Sequence, residues 1–285
     1  MPDDAPSHRG DATAETTTTS KPGKRTRTPK PAKPAKAPKV PKPPKDPALK
    51  GAKRRQIGLV LASAHPRMAF TFFVGTVIAS ILIGRTFAAS LVAGAAVLAV
   101  QLVAGLMNDV CDAELDRRAA RPGKRIAAGE VPAGNATFIA TLLFLLAVPL
   151  SLQSGVTAGL ILLGTLVVAF LHNRALHRTP VSFLGWVVTL PMVASFVSYA
   201  DREVEAAATA PPTQTLIALA FAGLCLHLIT SLRDLPFDHK SGIKPLPLVI
   251  ALKTGAPKLM YATIVLSLAA GVVLIIAALG PGLHR

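Results

Sequence analysis

Residues 90–116 read SLVAGAAVLAVQLVAGLMNDVCDAELD, an apolar run from Ser90 to Met107 that passes straight into Asn108, Asp109, Asp112, Glu114 and Asp116. The run lacks strict alternation and is too long for a barrel strand, so it predicts a membrane-spanning helix. Carboxylates at the end of such a helix are costly to place and mark functional sites by default. Residues 216–238, LIALAFAGLCLHLITSLRDLPFD, repeat the arrangement, with Asp234 and Asp238 closing a second apolar run. Of the fifteen Asp and Glu in the chain, five (Asp3, Asp4, Asp11, Glu15, Asp46) lie near the N-terminus. Six of the remaining ten fall in these two stretches. Solvated surface charge would be spread more evenly.

The same pattern extends along the chain. Apolar segments occur at Met68–Gly84, Phe87–Met107, Ala136–Leu152, Val156–Leu171, Val181–Tyr199, Leu216–Leu232 and Lys258–Leu279. With 51% hydrophobic residues and a mean hydropathy of +0.48, they predict an all-α, polytopic transmembrane helical bundle of about seven helices. Only Cys111 and Cys225 are present, one inside the first acidic motif and one mid-helix, and nothing suggests a disulfide framework or a zinc site. The domain boundary falls near residue 55. Residues 1–55 carry fifteen of the 31 Lys and Arg against five acids, about +10 of the net +16. Their Lys/Pro repeats have no apolar period and predict a disordered tail. Such a tail is solvated, or touches anionic lipid headgroups. Without interleaved aromatics or a folded module, no nucleic-acid partner is expected. The polar, Pro-rich start is not a secretory signal.

Loop charge sets the orientation. One side of the bundle receives the tail, Arg117 to Arg125, Arg174 with Arg178, and the loop from Arg233 to Lys253. The other receives Arg85, an uncharged Ser151–Gly155 turn and the net-acidic stretch 201–205. The expected location is therefore the cell membrane, multi-pass, with the tail and both acidic loops cytoplasmic.

On a helix, residues four apart share a face. Asn108, Asp112 and Asp116 form one stripe with Asp109 beside it; Asp234 and Asp238 form another. Like charges so close repel unless a cation intervenes. Oxygen-only donors point to Mg²⁺, which takes one or two carboxylates and completes its shell with waters and substrate phosphates. Asp109, Asp112, Asp116, Asp234 and Asp238 are the candidate ligands. Arg117, Arg121, Lys124 and Arg125 follow the first cluster, and Lys240 and Lys244 the second. These supply positive charge for a phosphorylated ligand, or serve only as topology signals. Glu114 points away from the main stripe. His227 lies two turns before Asp234, and Gln101 two turns before Asn108, on the corresponding faces. Each lines a cavity or makes interhelical hydrogen bonds.

Two strings carry a family resemblance. NDVCDAELDRRAARPGKRIAAGEVPAG, from Asn108, resembles the first motif of the UbiA-type intramembrane prenyltransferases (4-hydroxybenzoate polyprenyltransferase-like), N-D-x-x-D-x-x-x-D with a basic loop. RDLPFDHKSGIKPLPLVIALKTG, from Arg233, resembles the second, D-x-x-x-D before a glycine and a Leu-Pro. The turn His172 to Pro180 resembles the family turn after helix 4, with His172 and His177 near the places of its usual Tyr and Lys. Arg125-Ile126 stands where Arg-Pro is common, and Pro245 where a Thr precedes Leu-Pro.

The resemblance covers residues 60 to 280 and implies a bundle around a cavity, usually of nine helices where seven apolar segments are found here. It implies a polyprenyl diphosphate donor and a small, aromatic or quinone-precursor acceptor, with Mg²⁺ assisting pyrophosphate departure. Asp112, Asp116, Asp234, Asp238, Arg121 and Lys244 would then be catalytic. Asn108, Asp109, Arg117, Lys124, Arg125, His172, His177, His227 and Lys240 would bind substrate. Two other readings stay open. An ion-coupled transporter requires acids near the bilayer midplane on broken helices. A non-catalytic membrane scaffold would leave the carboxylates without a task.

Overall fold

Helix α3 spans Phe87–Ala119, 33 residues, in the computed structural model, which describes residues 47–200 and 210–279. At 1.5 Å per residue it is about 50 Å long, against a hydrocarbon core of about 30 Å. The apolar part therefore ends near Met107, and the helix continues beyond the hydrocarbon as one rigid rod bearing the first acidic stripe. Nothing in the 108–119 sequence stops it. Ala113, Glu114, Leu115, Arg117 and Ala119 are good helix formers, with no Gly or Pro among them.

The expected segments all form helices: α2 (Pro66–Leu82), α3, α4 (Ala133–Gln153), α5 (Val156–Arg174), α6 (Leu184–Tyr199), α7 (Thr213–Leu232) and α10 (Ala256–Leu279). Five are long and apolar enough to cross a membrane. A sixth span is possible if the bent pair Arg54–Ser63 and Pro66–Leu82 counts as one. α6 is shorter. Three helices were not expected. α1 (Pro47–Ser63) begins inside the stretch assigned to the tail, because Lys50, Lys53, Arg54 and Arg55 hide its apolar second half from a hydropathy reading. α8 (Leu235–Lys240) and α9 (Leu246–Thr254) are too short and proline-bounded to show a period. The disorder expected of residues 1–46, and the acidic stretch at 201–205, lie outside the described residues.

Neighbours in sequence pack as neighbours in space: α2 on α3, α3 on α4, α4 on α5, α5 on α6, α6 on α7 and α7 on α10, with α3 also touching α5. The contacts are built from small side chains. Ala93, Ala96, Val97, Ala99 and Val100 of α3 meet Ala147, Ala158, Leu162 and Phe196 in the largest buried cluster. Small residues let backbones approach closely, which is how helices associate where lipid is as apolar as leucine. At Gly223 of α7 an added Cβ would lie 2.4 Å from the Trp186 carbonyl oxygen of α6. The outward faces are apolar and exposed, with Phe70, Leu82, Phe138, Leu145, Val167, Leu268 and Ile276 all more than half accessible. An aqueous surface would not tolerate such a belt; a bilayer requires it.

Candidate functional site

The end of α3 meets α8, the short helix that follows α7, and each acidic stripe is fixed by how its helix stops. α3 closes at Ala120, which takes φ 52, while Ala120 N–H donates to Arg117 O (3.1 Å) and Arg121 N–H to Asp116 O (2.9 Å). This is the paired-bond helix ending usually made by glycine. It turns the chain back so that Arg121 faces the stripe it has just left. The following loop is pinned by Ile126 and Val131, buried against Leu106 and Ala136, which carries Lys124 back over the same stripe. α7 ends at Leu232, and Asp234 stands at the start of α8, whose Leu235 is buried with Leu228, Leu248 and Leu259. Gly242 (φ 74) closes α8, with Ile243 N–H donating to Asp238 O. The strand of chain after it is strapped to the α5–α6 connection: Lys244 N–H donates to Arg178 O (3.1 Å) and Leu246 N–H to Ser182 Oγ (3.1 Å).

Arg121 joins the two clusters. Its guanidinium lies 3.1 Å from Asp116 Oδ1, 3.0 Å from Asp234 Oδ1 and 3.6 Å from Asp238 Oδ1, and 5.7 Å from the centre of the Phe237 ring. Lys124 Nζ lies 2.6 Å from Asp109 Oδ1 and 3.4 Å from Asp116 Oδ2. Asp112 sits 3.0 Å from His177 Nε2 and 3.7 Å from Arg178, and accepts at Oδ2 from Asn108 Nδ2 (3.1 Å). Asn108 also donates to Asn173 Oδ1, and His177 Nδ1–H to the His172 carbonyl. Asp109 receives His65 Nε2–H at 2.9 Å. Asp109, Asp112, Asp116 and Asp238 are buried, while Asp234 remains about one-third exposed.

Burial draws the Lys124 ammonium toward neutrality, but Asp109 and Asp116 outweigh it and its pKa is raised. Arg121 follows the same logic, with burial opposed by Asp234, Asp116 and Asp238. Asp238 goes the other way. Burial, helped by Asp234 and Asp112, pushes its carboxyl up to about 6 against the pull of Arg121 and His177. Two buried carboxylate oxygens, Asp112 Oδ1 and Asp116 Oδ2, make no hydrogen bond despite the nearby cations. Among the described residues no three His, Cys, Asp or Glu side chains converge closely enough to hold a metal ion, and Arg121 instead bridges the carboxylates. An oxygen-only donor set with unsatisfied buried oxygens nevertheless suits a hard divalent cation.

Asn108, Asp109, Asp112, Asp116, Arg121, Lys124, His177, Asp234 and Asp238 thus lie together in the structure. Others do not. Arg117 is exposed and pairs with Glu114, beside Arg118, on the far side of α3. Arg125 lies 3.9 Å from Glu130, outside the cluster. Lys240 Nζ donates to Ala119 O, tying α8 to the end of α3, and Lys244 is exposed at the rim. His172 packs under Gly185 with its ring 6.0 Å from that of His177. His227 is buried against Ser182 Oγ (3.0 Å) in the support of the second loop, away from the carboxylates. Sequence reasoning missed His65, Asn173 and Arg178 as members of the site. Asn173 and Arg178 lie in the string matched to the family turn; nothing local marks His65.

The sequence model of the UbiA prenyltransferase family matches residues 68–284. No curated protein matches the chain. Among solved structures, a digeranylgeranylglyceryl phosphate synthase is similar at 19% identity, covering 77% of this chain and 76% of its own, with a TM-score of 0.54. A UbiA homolog from Archaeoglobus fulgidus bound to GPP and Mg²⁺ is similar at 15% identity, covering 77% of each chain, with a TM-score of 0.57. The same organism's homolog bound to DMAPP and Mg²⁺ gives 16% identity, 76% and 84% coverage and a TM-score of 0.56. At these identities the likeness establishes a common fold.

Proposed function

The chain belongs to the UbiA prenyltransferase family, and from that premise we propose that it moves an isoprenyl group from a polyprenyl diphosphate to a small aromatic or quinone-precursor acceptor. The observation that carries this reading is the bridge made by Arg121 between Asp116 of the first cluster and Asp234 and Asp238 of the second. Two separate acidic helix ends, drawn together around one guanidinium and one ammonium, form a site for a ligand that brings both negative oxygens and cations. The Archaeoglobus relatives bind such ligands, a prenyl diphosphate with Mg²⁺.

Asp109, Asp112, Asp116, Asp234 and Asp238 would hold Mg²⁺, which when bound neutralises charge on the diphosphate. The chain's own residues do the rest. Arg121 and Lys124, released from their carboxylates, turn to diphosphate oxygens and stabilise the charge that grows as the allylic C1–O bond breaks and pyrophosphate leaves with the electron pair. His177 and Arg178 stand beside Asp112 to orient it. The allylic carbon bonds to an acceptor carbon, which then loses a proton to solvent or pyrophosphate. The apolar bundle receives the isoprenyl tail and keeps water from the cation. The excess of Lys and Arg at this end of the bundle supports a cytoplasmic site.

The test is Mg²⁺-dependent pyrophosphate release from geranylgeranyl and longer diphosphates, in membranes carrying the full chain and offered a panel of acceptors. Release that requires an acceptor and disappears in both Asp112→Asn and Asp234→Asn is the expected result. No Mg²⁺-dependent release or donor binding with any donor would remove the enzyme reading and leave the non-catalytic scaffold as the reading to test.

A further inference from the structure

His65 belongs to neither acidic motif, yet it touches one. It lies between α1 and α2, which meet there at 67°, and it holds φ 52 and ψ 52. Non-glycine residues rarely occupy that left-handed region. Its place is the N-cap of α2, where a side chain normally accepts from the first free N–H groups of the helix. His65 makes no such bond. Its ring reaches across to α3, and Nε2–H donates to Asp109 Oδ1 at 2.9 Å. The side chain is 43% exposed, whereas that of Asp109 is 3% exposed. A half-open imidazole thus addresses a buried carboxylate from the water-facing side.

The bend is seated by the same face of α3. An added Cβ on Gly105 would lie 2.4 Å from the Ala64 carbonyl oxygen. Gly105 precedes Asp109 by one helical turn, so one stripe carries both the glycine that admits the bend and the carboxylate the bend addresses. His65 and Lys124 both bind Oδ1. Among the described residues, Asp109 Oδ2 makes no hydrogen bond or ion pair.

We propose that His65 is a positioning residue for Asp109: its contact at Oδ1 fixes the rotation of the carboxylate so that Oδ2 faces an incoming cation–diphosphate pair. It keeps that hold after Lys124 has turned to a phosphate oxygen. The inference rests on the reading of this end of the bundle as a Mg²⁺–diphosphate site. It explains why a histidine is kept in a backbone conformation suited to glycine while making no cap.

The experiment measures the Mg²⁺ concentration for half-maximal binding of geranylgeranyl diphosphate to the purified full chain, in wild type, His65→Gly and His65→Gln. Glycine relieves the backbone while removing the ring and its bond to Asp109, and a cooperative unfolding transition of the variant shows that the fold is intact. It should nevertheless need about tenfold more Mg²⁺, the usual scale for losing a partner of a metal-ligating side chain. Glutamine restores an N–H near the Nε2 position and should recover most of that loss. A glycine variant with wild-type Mg²⁺ dependence overturns the proposal, as does a glutamine variant no better than glycine. Absence of Mg²⁺-dependent donor binding in the wild type would overturn the underlying reading, and this one with it.

Discussion

Asp238 is the carboxylate whose protonation the fold alters most visibly. Its pKa is pushed up to about 6 by burial and by Asp234 and Asp112, against Arg121 and His177. A raised acid favours the protonated form in the fold, so its stabilising contribution is complete below the ordinary carboxyl range and is lost as pH rises through about 6. Relative to Asp238→Asn, which stays neutral, thermal unfolding of the ligand-free protein in detergent should therefore move to lower temperature across that window. Donor binding with Mg²⁺ needs the carboxylate and should strengthen across the same window. A difference between the two proteins that stays level as pH passes through about 6 would refute the burial argument. Arg121 and Arg117 show how far single residues could be read in advance. Both are arginines just after the first cluster, yet one binds three carboxylates and the other pairs outward with Glu114. The choice is made by the backbone turn at Ala120, where an alanine occupies the place usual for glycine and gives no turn signal.

At the scale of helices, close contacts decide which glycines matter. Gly223 brings α7 onto the α6 backbone, while Gly75 of α2 has nothing within 4 Å of an added Cβ. Gly223→Ala should destabilise the bundle by roughly 1–3 kcal/mol, because the obstacle is a carbonyl oxygen that cannot rotate away. Gly75→Ala should be neutral or stabilise by up to about 1 kcal/mol through helix propensity. Denaturation in mixed micelles measures both, and equal effects would contradict the packing described. The seven apolar helices were legible because each is a long unbroken run, and the acidic stripes because α3 keeps its helical register to Ala119. α8 and α9 were not. Their short spans carry too few turns to show periodicity, and Pro236 and Pro247 read as loop chemistry. The His65–Asp109 contact links positions 44 residues apart, which no local pattern encodes.

For the whole molecule, the excess of Lys and Arg on one side of the bundle predicts that the acidic helix ends face the cytoplasm. Lys253 of α9 is exposed beside the second loop. Introduced as Lys253→Cys in a chain carrying Cys111→Ala and Cys225→Ala, that position should react with a membrane-impermeant maleimide only in inside-out vesicles or opened cells. Labelling of intact cells would reverse the topology and place the site outside. The family was legible from two strings at two helix ends. The support around them, from His65, Asn173, Ser182 and His227, depends on contacts between distant segments that only the folded chain brings together.

The bridge at Arg121 governs more than geometry, since it ties the site's own cations to its own carboxylates. Five carboxylates are shared among Arg121, Lys124 and Arg178, with His65 and His177 beside them, so a lone diphosphate meets no unclaimed cation among these residues. A diphosphate arriving without its divalent cation would strand further negative charge in a buried place. Both together exchange one balanced set of contacts for another. The cation thus gates the donor: titration with donor should leave the unfolding temperature almost unmoved without Mg²⁺, and raise it steeply once Mg²⁺ is present.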